Sequence, residues 1–400
     1  SPPRRSQSSR RRRVAPLRMA HRFLAIWLAI GLASASPKAR LEEIDAWLVG
    51  GREAPKHWAV RAPGDLDGPA RVLKMSVQKE VNRSTLRFGG AEVDVVVKAL
   101  RHGGAFEFGD RDSDIAYFEL LYLESLRGEP GVPRLYGGWR TPTSVVWVTS
   151  YGGDTVASHL RCEGGRELSR RGYCGARDKT DEDRPAIAGA AYARRAAEAP
   201  LELARSWLRC FRSFGEVGGF VLTDFKPDQF TLDGRGRVSL VDGPAPNTGR
   251  VAAFARRHFV AGEHIFVGRA PRPRPSPGES VRLDLEPGLP MVCDGATPCA
   301  ARTHTWHAHA ATSSAAPELG ACDGKLCAAF DWRVHVYDLA ARSWILPLII
   351  SLAEDRAAAA RLEALSRAML AADPAERPSF SALLRSLAQF GTGVAMPVTG

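Results

Sequence analysis

The chain has 400 residues, of which 44% are hydrophobic and 25% charged, and its formal net charge is +11. This composition can build a sizeable buried core, and it excludes a chain that is disordered throughout. The positive charge is concentrated ahead of the first apolar run, where no acid accompanies the arginines. The rest of the chain is close to neutral, so no nucleic-acid partner is expected. The arginines of that region are Arg4, Arg5, Arg10, Arg11, Arg12, Arg13, Arg18 and Arg22.

The first apolar run, residues 23–35, reads FLAIWLAIGLASA. It is shorter than the roughly 20 residues of a membrane-spanning helix and is typical of a signal-peptide core, with Ala33 and Ala35 before the cleavage site. A short type II signal anchor is the alternative, and the basic flank disfavours a buried N-terminal helix. Residues 1–36 are therefore expected to direct the chain into the endoplasmic reticulum, as a single-pass type II membrane protein, a lumenal protein or a secreted one.

All seven cysteines follow this run, which agrees with an oxidising compartment, and residues 82–84 form a glycosylation sequon. Two cysteine pairs, at 293 and 299 and at 322 and 327, would form disulfide bonds or bind zinc with nearby histidines, and the lumenal setting favours disulfides. A third pair, at 162 and 174, would close an insertion. Cys210 is then expected to be a buried free thiol. The cysteines are Cys162, Cys174, Cys210, Cys293, Cys299, Cys322 and Cys327.

Hydrophobic patterning divides the rest of the chain into a β-rich part and a helical part. Residues 37–69 have little pattern and are interpreted as a linker or stem. Residues 70–153 contain β-rich runs and one helix near 113–127. Residues 154–390 are mostly helical, with two short strands at 229–232 and 238–241 and cysteine-containing insertions, and residues 391–400 form a tail. The sequence thus predicts an α+β fold.

Polar residues around the two short strands have the composition of a phosphoryl-transfer site. Asp224 lies in TDFKPDQF, Gln229 follows five residues later, and Asp242 ends the second strand in LVDG. Phosphoryl transfer needs a group that positions the acceptor hydroxyl, metal ligands and a cation. This spacing resembles the catalytic loop of protein kinases. The resemblance implies that Asp224 is the catalytic base, that Lys226 contacts the transferred phosphate of ATP, and that Gln229 and Asp242 hold Mg or Mn.

Two earlier residues match the same pattern. Lys98 ends the run VVVK and resembles the strand lysine that contacts the nucleotide phosphates. Glu119 on the following helix would be its ion-pair partner, and leucines four and seven residues later favour it over Glu124. Taken singly, Lys98 would be interpreted as an exposed strand lysine. Its position ahead of the helix favours the functional interpretation.

The C-terminal part carries architectural motifs. ADPAERPSF resembles the end of the kinase large lobe, with Arg377 as its buried structural arginine, and VYDLA resembles the start of the central helix. With the signal segment and cysteines, residues 70–390 resemble the family of cysteine-rich divergent protein kinases of the endoplasmic reticulum and secretory route. This resemblance implies a two-lobed fold, with a small β-rich N-lobe at 70–153 and a helical C-lobe at 154–390. It also implies transfer of the ATP γ-phosphate to a secreted or lumenal protein.

Several departures from the kinase pattern favour a catalytically impaired pseudokinase as the alternative. Residues 78–83, interpreted as the loop between the first two strands, contain no glycine that would let backbone amides approach phosphates. Leu222 and Thr223 replace His-Arg before the catalytic aspartate. His335 replaces an aspartate that braces the catalytic loop. A small-molecule phosphotransferase would share the catalytic loop, but the ADPAERPSF ending disfavours it.

Overall fold

The computed structural model describes residues 37–68, 70–75, 79–101, 111–161, 187–218, 222, 225–242 and 332–389. These residues form an α+β fold with a five-stranded antiparallel sheet and a helical region, as predicted. The signal or anchor segment, the cysteine insertions and the C-terminal tail lie outside the described residues. No helix among the described residues combines the length and apolar character needed to cross a membrane.

The five-stranded sheet has the order β1-β2-β3-β5-β4, with every neighbouring pair antiparallel. Runs of valine in β3 and β5 explain its centre, because β-branched side chains favour a pleated, buried surface. Gly89 and Gly90, both with positive φ, make the tight turn between β2 and β3. The strands are β1 (Arg71–Met75), β2 (Lys79–Phe88), β3 (Ala91–Arg101), β4 (Leu135–Thr141) and β5 (Ser144–Ser150).

The loop predicted over residues 78–83 is a strand from Lys79 onward, where β2 begins, so the prediction was wrong for residues 79–83; Gln78 lies outside the described residues. Pairing with β3 is continuous from Lys79 opposite Leu100 to Phe88 opposite Ala91. This unbroken ladder to a valine-rich partner keeps the polar residues of β2 in the extended conformation. The first half of β2 therefore presents side chains to the two faces of the sheet instead of forming a flexible loop.

The two faces of the sheet have different neighbours. Val95 and Val97 of β3 pack with Tyr136 and Val148 in a hydrophobic cluster on one face. The alternate residues Lys98 and Leu100 lie on the other face, where α2 (Arg111–Ser125) packs. The predicted helix near 113–127 thus exists, two residues earlier at each end. A lysine in this strand is consequently directed at the helix and not at the solvent.

Residues 37–68 belong to the folded body, although the sequence analysis interpreted residues 37–69 as a linker or stem. Helix α1 (Pro37–Leu48) buries Ile44 and Leu48 in the main core, and Trp58 is buried with them. Val60 then pairs in parallel with Gly137 of β4. Gly137 has φ 134°, and a Cβ there would lie 2.1 Å from the Val60 carbonyl oxygen, so only glycine permits this pairing.

The helical region is built around aromatic side chains of α4 (Pro200–Phe211). Trp207 and Phe211 lie one turn apart on its buried face, and Phe211 contacts Phe225, Phe230 and Phe380 at ring distances of 5.4–6.0 Å. Proline at its first position suits the helix N-terminus. The other helices are α3 (Ala190–Glu198), α5 (Arg333–Ala341), α6 (Leu346–Leu352), α7 (Arg356–Met369) and α8 (Phe380–Gln389).

The short strands complete the architecture. A three-stranded sheet has β9 (Phe230–Leu232) between β10 (Val238–Leu240) and β6 (Asp154–Thr155), and β7 (Leu160–Arg161) pairs with β8 (Ile187–Ala188). The predicted strands at 229–232 and 238–241 are thus present as β9 and β10, which pair as one hairpin. A short 3-10 turn, Pro227–Gln229, leads from Lys226 into this hairpin, which positions residues of the candidate site.

Arg377 is buried, as predicted for a structural arginine, with 4% of its surface exposed. Its guanidinium donates to the carbonyl oxygens of Ala371 at 2.8 Å, Arg333 at 3.1 Å and Ala372 at 3.3 Å. These contacts join the start of α5 to the segment between α7 and α8. Arg377 thus contributes to architecture.

Candidate functional site

The β9–β10 hairpin brings Gln229 and Asp242 to the same end of the small sheet. Phe230 pairs with Leu240, and the next backbone pair is closed by the Val241 N–H, which donates to the Gln229 carbonyl oxygen at 2.8 Å. Gln229 is buried, whereas the side chain of Asp242 is 29% exposed. Thirteen residues apart in sequence, the two predicted metal ligands are therefore neighbours across one hairpin.

Lys98 and Glu119 form a buried ion pair, with 4% of each side chain exposed. The Lys98 ammonium also donates to the Val241 carbonyl oxygen and lies 3.7 Å from Asp242 Oδ1. The Trp147 indole N–H donates to the same Glu119 oxygen at 3.1 Å. Three elements distant in sequence thus converge on Lys98, and the predicted Lys98–Glu119 contact is present.

Glu124, the carboxylate that the sequence analysis set aside in favour of Glu119, has a different role. It accepts hydrogen bonds from the Trp58 indole at 2.5 Å and from His57 Nε2, which is 3.0 Å away. Glu124 therefore anchors the segment after α1 to α2. Because Glu119 and Glu124 lie on different faces of the helix, one serves the charged site and the other holds the helix in place.

The sequence analysis missed Lys79 as a site residue. Its ammonium donates to Asp242 Oδ1 at 2.5 Å and lies 3.7 Å from Glu119 Oε2. Lys79 is opposite Leu100 in the β2–β3 ladder, on the same sheet face as Lys98 and diagonal to it. The pairing register that follows from the Gly89-Gly90 turn would have placed Lys79 on the sheet face of Lys98. Because the start of β2 was assigned to a loop, this placement was not predicted.

We call Lys79, Lys98, Glu119 and Asp242 the charged cluster; its formal charges sum to zero. Burial would raise the pKa of Asp242, but the ammonium groups of Lys79 and Lys98 hold it well below its ordinary value. Burial would lower the pKa of Lys79, but the carboxylates of Asp242 and Glu119 raise it above its ordinary value. Both ammonium groups also lie 5.9 Å from the centre of the Trp147 ring. All charges of the cluster are thus stabilised by their neighbours.

This arrangement does not fit a divalent cation as well as the sequence resemblance implies. Mg²⁺ requires near-octahedral oxygen ligands, but the Asp242 oxygen that faces the cluster already accepts from Lys79. Across the described part of the chain, no group of three histidine, cysteine or acidic side chains is arranged to hold a metal ion. Gln229 and Asp242 therefore lie at the same end of the hairpin, but the Asp242 carboxylate is engaged by an ammonium group, and their role as metal ligands stays a prediction.

The segment that contains the predicted catalytic base is described only in part. Asp224 lies outside the described residues. Lys226 precedes a single 3-10 turn, Pro227–Gln229, and its carbonyl oxygen accepts from the Gln229 N–H at 3.2 Å. The predicted roles of Asp224 and Lys226 remain predictions.

His335 braces the segment that contains the predicted base. The Leu222 N–H donates to His335 Nε2 at 2.8 Å, so the other ring nitrogen carries the proton and donates to Asp338 Oδ2 at 3.3 Å. Arg342 Nε donates to the other Asp338 oxygen at 3.3 Å. The histidine that replaces the expected aspartate still accepts a hydrogen bond from the loop backbone, so the bracing contact is retained.

No protein-family model matches the sequence, and no curated protein matches it.

Of the seven cysteines, the structure describes Cys210, which is a buried free thiol, as predicted. Burial raises its pKa to about 12. The other six cysteines, and with them the predicted disulfide bonds, lie outside the described residues.

Proposed function

We propose that residues 70–390 form a two-lobed protein-kinase-like domain that binds ATP at the charged cluster and transfers its γ-phosphate to a hydroxyl group of a secretory-pathway protein. The observation that carries this proposal is the convergence of Lys98, Glu119 and Asp242 from a strand, a helix and the end of a hairpin. Kinases use this combination to hold nucleotide phosphates.

The buried carboxylate of Glu119 orients the Lys98 ammonium, which is the group proposed to bind phosphate. Glu119 accepts from both Lys98 and the Trp147 indole, so its position is fixed on two sides. Lys98 in turn presents its ammonium towards the partly exposed Asp242. Phosphate oxygens entering beside Asp242 would therefore meet two ammonium groups that need little reorganisation, which is the basis of electrostatic stabilisation of the transition state.

The chemical step follows from the resemblance of the catalytic loop. The substrate hydroxyl oxygen forms a bond to the γ-phosphorus while the bond from that phosphorus to the β–γ bridging oxygen breaks, and ADP leaves. Asp224 receives the hydroxyl proton, and Lys226 contacts the transferred phosphate. No step is assigned to a divalent cation, because the Asp242 carboxylate is paired with Lys79.

A phosphate-transfer assay tests this proposal. The purified lumenal part of the chain is incubated with γ-labelled ATP and the protein acceptors casein and myelin basic protein, alongside the Asp224→Asn variant. We expect labelled acceptor, or labelled enzyme, from the wild type only. Removing a catalytic base typically lowers the rate by about 10²–10⁴-fold. Equal labelling by both proteins would contradict the proposed role of Asp224.

A nucleotide-binding pseudokinase is the second candidate. The contact between Lys79 and Asp242 favours it, because it engages the carboxylate that kinases use for metal. In this case ATP would stabilise wild type and Asp224→Asn equally, by about 2.7 kcal/mol at 100 times the dissociation constant, and neither protein would transfer phosphate. Thermal unfolding with and without ATP, measured on the same samples, separates the two candidates.

The proposed setting is the lumen of the secretory pathway, with a lumenal or secreted protein as substrate or partner. The position of the sequon does not add to this, because Asn82 is half-buried in β2 and its amide donates to Glu80 at 2.8 Å. Translation in the presence of microsomes tests the location directly. We expect residues 37–400 to be protected from added protease until detergent is present; digestion without detergent would contradict a lumenal location.

A further inference from the structure

Two ammonium groups lie close to the carboxylate of Asp242. Lys79 donates to its Oδ1 oxygen at 2.5 Å, and Lys98 is 3.7 Å from the same oxygen. We propose that the Lys79 ammonium takes the place of a divalent cation at Asp242, so that this site binds the triphosphate of a nucleotide without Mg²⁺ or Mn²⁺. This inference rests on the proposed function, since it concerns the same nucleotide site.

The position of Lys79 is determined by the sheet. The β2–β3 ladder is continuous over ten residue pairs, so Lys79 cannot change face without breaking the register that also places Lys98. Its ammonium bridges Asp242 and Glu119, and it lies near the Trp147 ring. The side chain is 21% exposed, so Lys79 is held by protein groups while part of its surface still meets the solvent.

The charge balance supports the same conclusion. The ligands of a kinase-type metal site carry an excess of negative charge, which a divalent cation neutralises. Here the two carboxylates are already balanced by two ammonium groups within the cluster. A triphosphate brings its own negative charge, and two lysines can contact its oxygens by charge-assisted hydrogen bonds. A metal ion, in contrast, would have to compete with Lys79 for the same oxygen of Asp242.

Lys79 also provides what the missing glycine-rich loop would provide. Residues 76–83 contain no glycine, so backbone amides there cannot approach the phosphates closely. A lysine side chain that extends from the start of β2 delivers a positive charge to the same region.

The test compares nucleotide binding with and without divalent cations. Binding of the fluorescent analogue TNP-ATP, with displacement by ATP, is measured in excess EDTA and in excess Mg²⁺. The proteins are wild type, Lys79→Met and the matched control Lys74→Met. Lys74 lies on the neighbouring strand β1, is 58% exposed and is 4.0 Å from Asp228. A second measurement follows the electron paramagnetic resonance of Mn²⁺ during titration with protein alone.

We expect wild type and Lys74→Met to bind ATP equally well in both buffers and to leave the Mn²⁺ signal unchanged. Lys79→Met should lose about ten-fold or more in affinity in EDTA, as expected for a lost charge-assisted contact. It should recover affinity when Mg²⁺ is added and should bind Mn²⁺ through the released Asp242.

Each other outcome overturns a specific statement. ATP binding by the wild type that requires Mg²⁺, or Mn²⁺ binding by the wild type alone, would overturn the metal-independence proposal and leave the proposed nucleotide site intact. Absence of ATP binding in both buffers would overturn the proposed function as well. Since the wild-type measurements decide both questions, the conclusion does not depend on whether Lys79→Met folds.

Discussion

The molecule contains two polar clusters that differ in their access to solvent. The charged cluster lies where the five-stranded sheet meets the helical region, and the second cluster lies inside the helical region. In the charged cluster, Asp242 is 29% exposed and Lys79 is 21% exposed. In the second cluster, which links Leu222, His335, Asp338 and Arg342, each residue is at most 4% exposed. We call the second one the brace cluster. Similar groups thus form a site that a ligand can enter and a closed internal support.

The surroundings explain this difference. His335 is packed between the rings of Phe211, Phe214 and Phe225 at 5.5–5.7 Å, which leaves no path for a ligand. The charged cluster has one aromatic neighbour, Trp147, among the ring contacts of the described residues, and opens beside Asp242. A cluster in which every member is buried acts as structural support, whereas a cluster with partly exposed members, such as Lys79 and Asp242, can meet a ligand.

The largest expected effect is loss of stability in Asp338→Ala. This change leaves the buried guanidinium of Arg342 and the ring of His335 without their shared acceptor. Breaking a buried charge pair in this way costs about 3–5 kcal/mol. Urea unfolding followed by tryptophan fluorescence measures it. The control Glu202→Ala removes a 65% exposed partner of Arg205 and should cost less than about 1 kcal/mol. Equal losses would contradict the distinction between the two clusters.

His335→Ala should follow, with a loss of about 2–4 kcal/mol from a cavity among aromatic rings and from the Leu222 N–H, which loses its acceptor. Hydrogen exchange at the Leu222 amide should accelerate together with the loss of stability. A stability loss without faster exchange at Leu222 would contradict the bracing role.

Removing the Asp242 carboxylate from the charged cluster should lower the stability less. Asp242→Asn should lower the free energy of unfolding by about 0.5–1.5 kcal/mol at neutral pH, because Lys79 is partly exposed to water and Lys98 keeps its ion pair with Glu119. The measurement is the same urea titration. A loss as large as that of Asp338→Ala would show that Asp242 belongs with the structural groups.

The pH dependence of this effect has a definite sign. The pKa of Asp242 is lower in the folded protein than its ordinary value of about 3.9, because the two lysines outweigh burial. Its contribution to stability is therefore present above that value and is lost as the pH falls further. The raised pKa of Lys79 adds a contribution that is present below its ordinary value of about 10.4 and is lost at higher pH.

We therefore expect the stability difference between wild type and Asp242→Asn to be constant from about pH 5 to pH 9 and to shrink on acidification. Urea unfolding of both proteins at five pH values measures it. A difference that grows as the pH falls would contradict the assignment of Asp242 as a carboxylate stabilised by lysines.

The smallest effect concerns Cys210 of α4, which is buried and whose thiol donates to the Gly131 carbonyl oxygen. With its pKa raised to about 12 by burial, the thiol should not react with Ellman's reagent at pH 8. Native wild type and native Cys210→Ala should thus give the same number of reactive thiols. After denaturation, the wild type should give one more reactive thiol than Cys210→Ala. An additional reactive thiol in the native wild type would contradict its burial.

Sequence patterns predicted the α+β class, the helix that carries Glu119 and the two short strands between Gln229 and Asp242. They succeeded because apolar periodicity and motif spacing are local properties. The start of β2 was not predicted, because residues 79–83 are mostly polar and only their pairing with β3 makes them a strand. Residues 37–69 were interpreted as a linker or stem because no local pattern reveals that side chains such as Trp58 pack against residues far away in the chain.

The sequence by itself predicted a phosphoryl-transfer site from the spacing of Lys98, Glu119, Gln229 and Asp242, because this spacing depends on neighbouring elements. Only the tertiary structure brought Lys79 to Asp242 and His335 to Leu222. The first contact spans 163 residues and the second 113. Contacts of this range arise from the packing of whole elements, and no local pattern specifies them. The packing of these elements thus decided that the Asp242 carboxylate is partly exposed and that the Asp338 carboxylate is buried in the core.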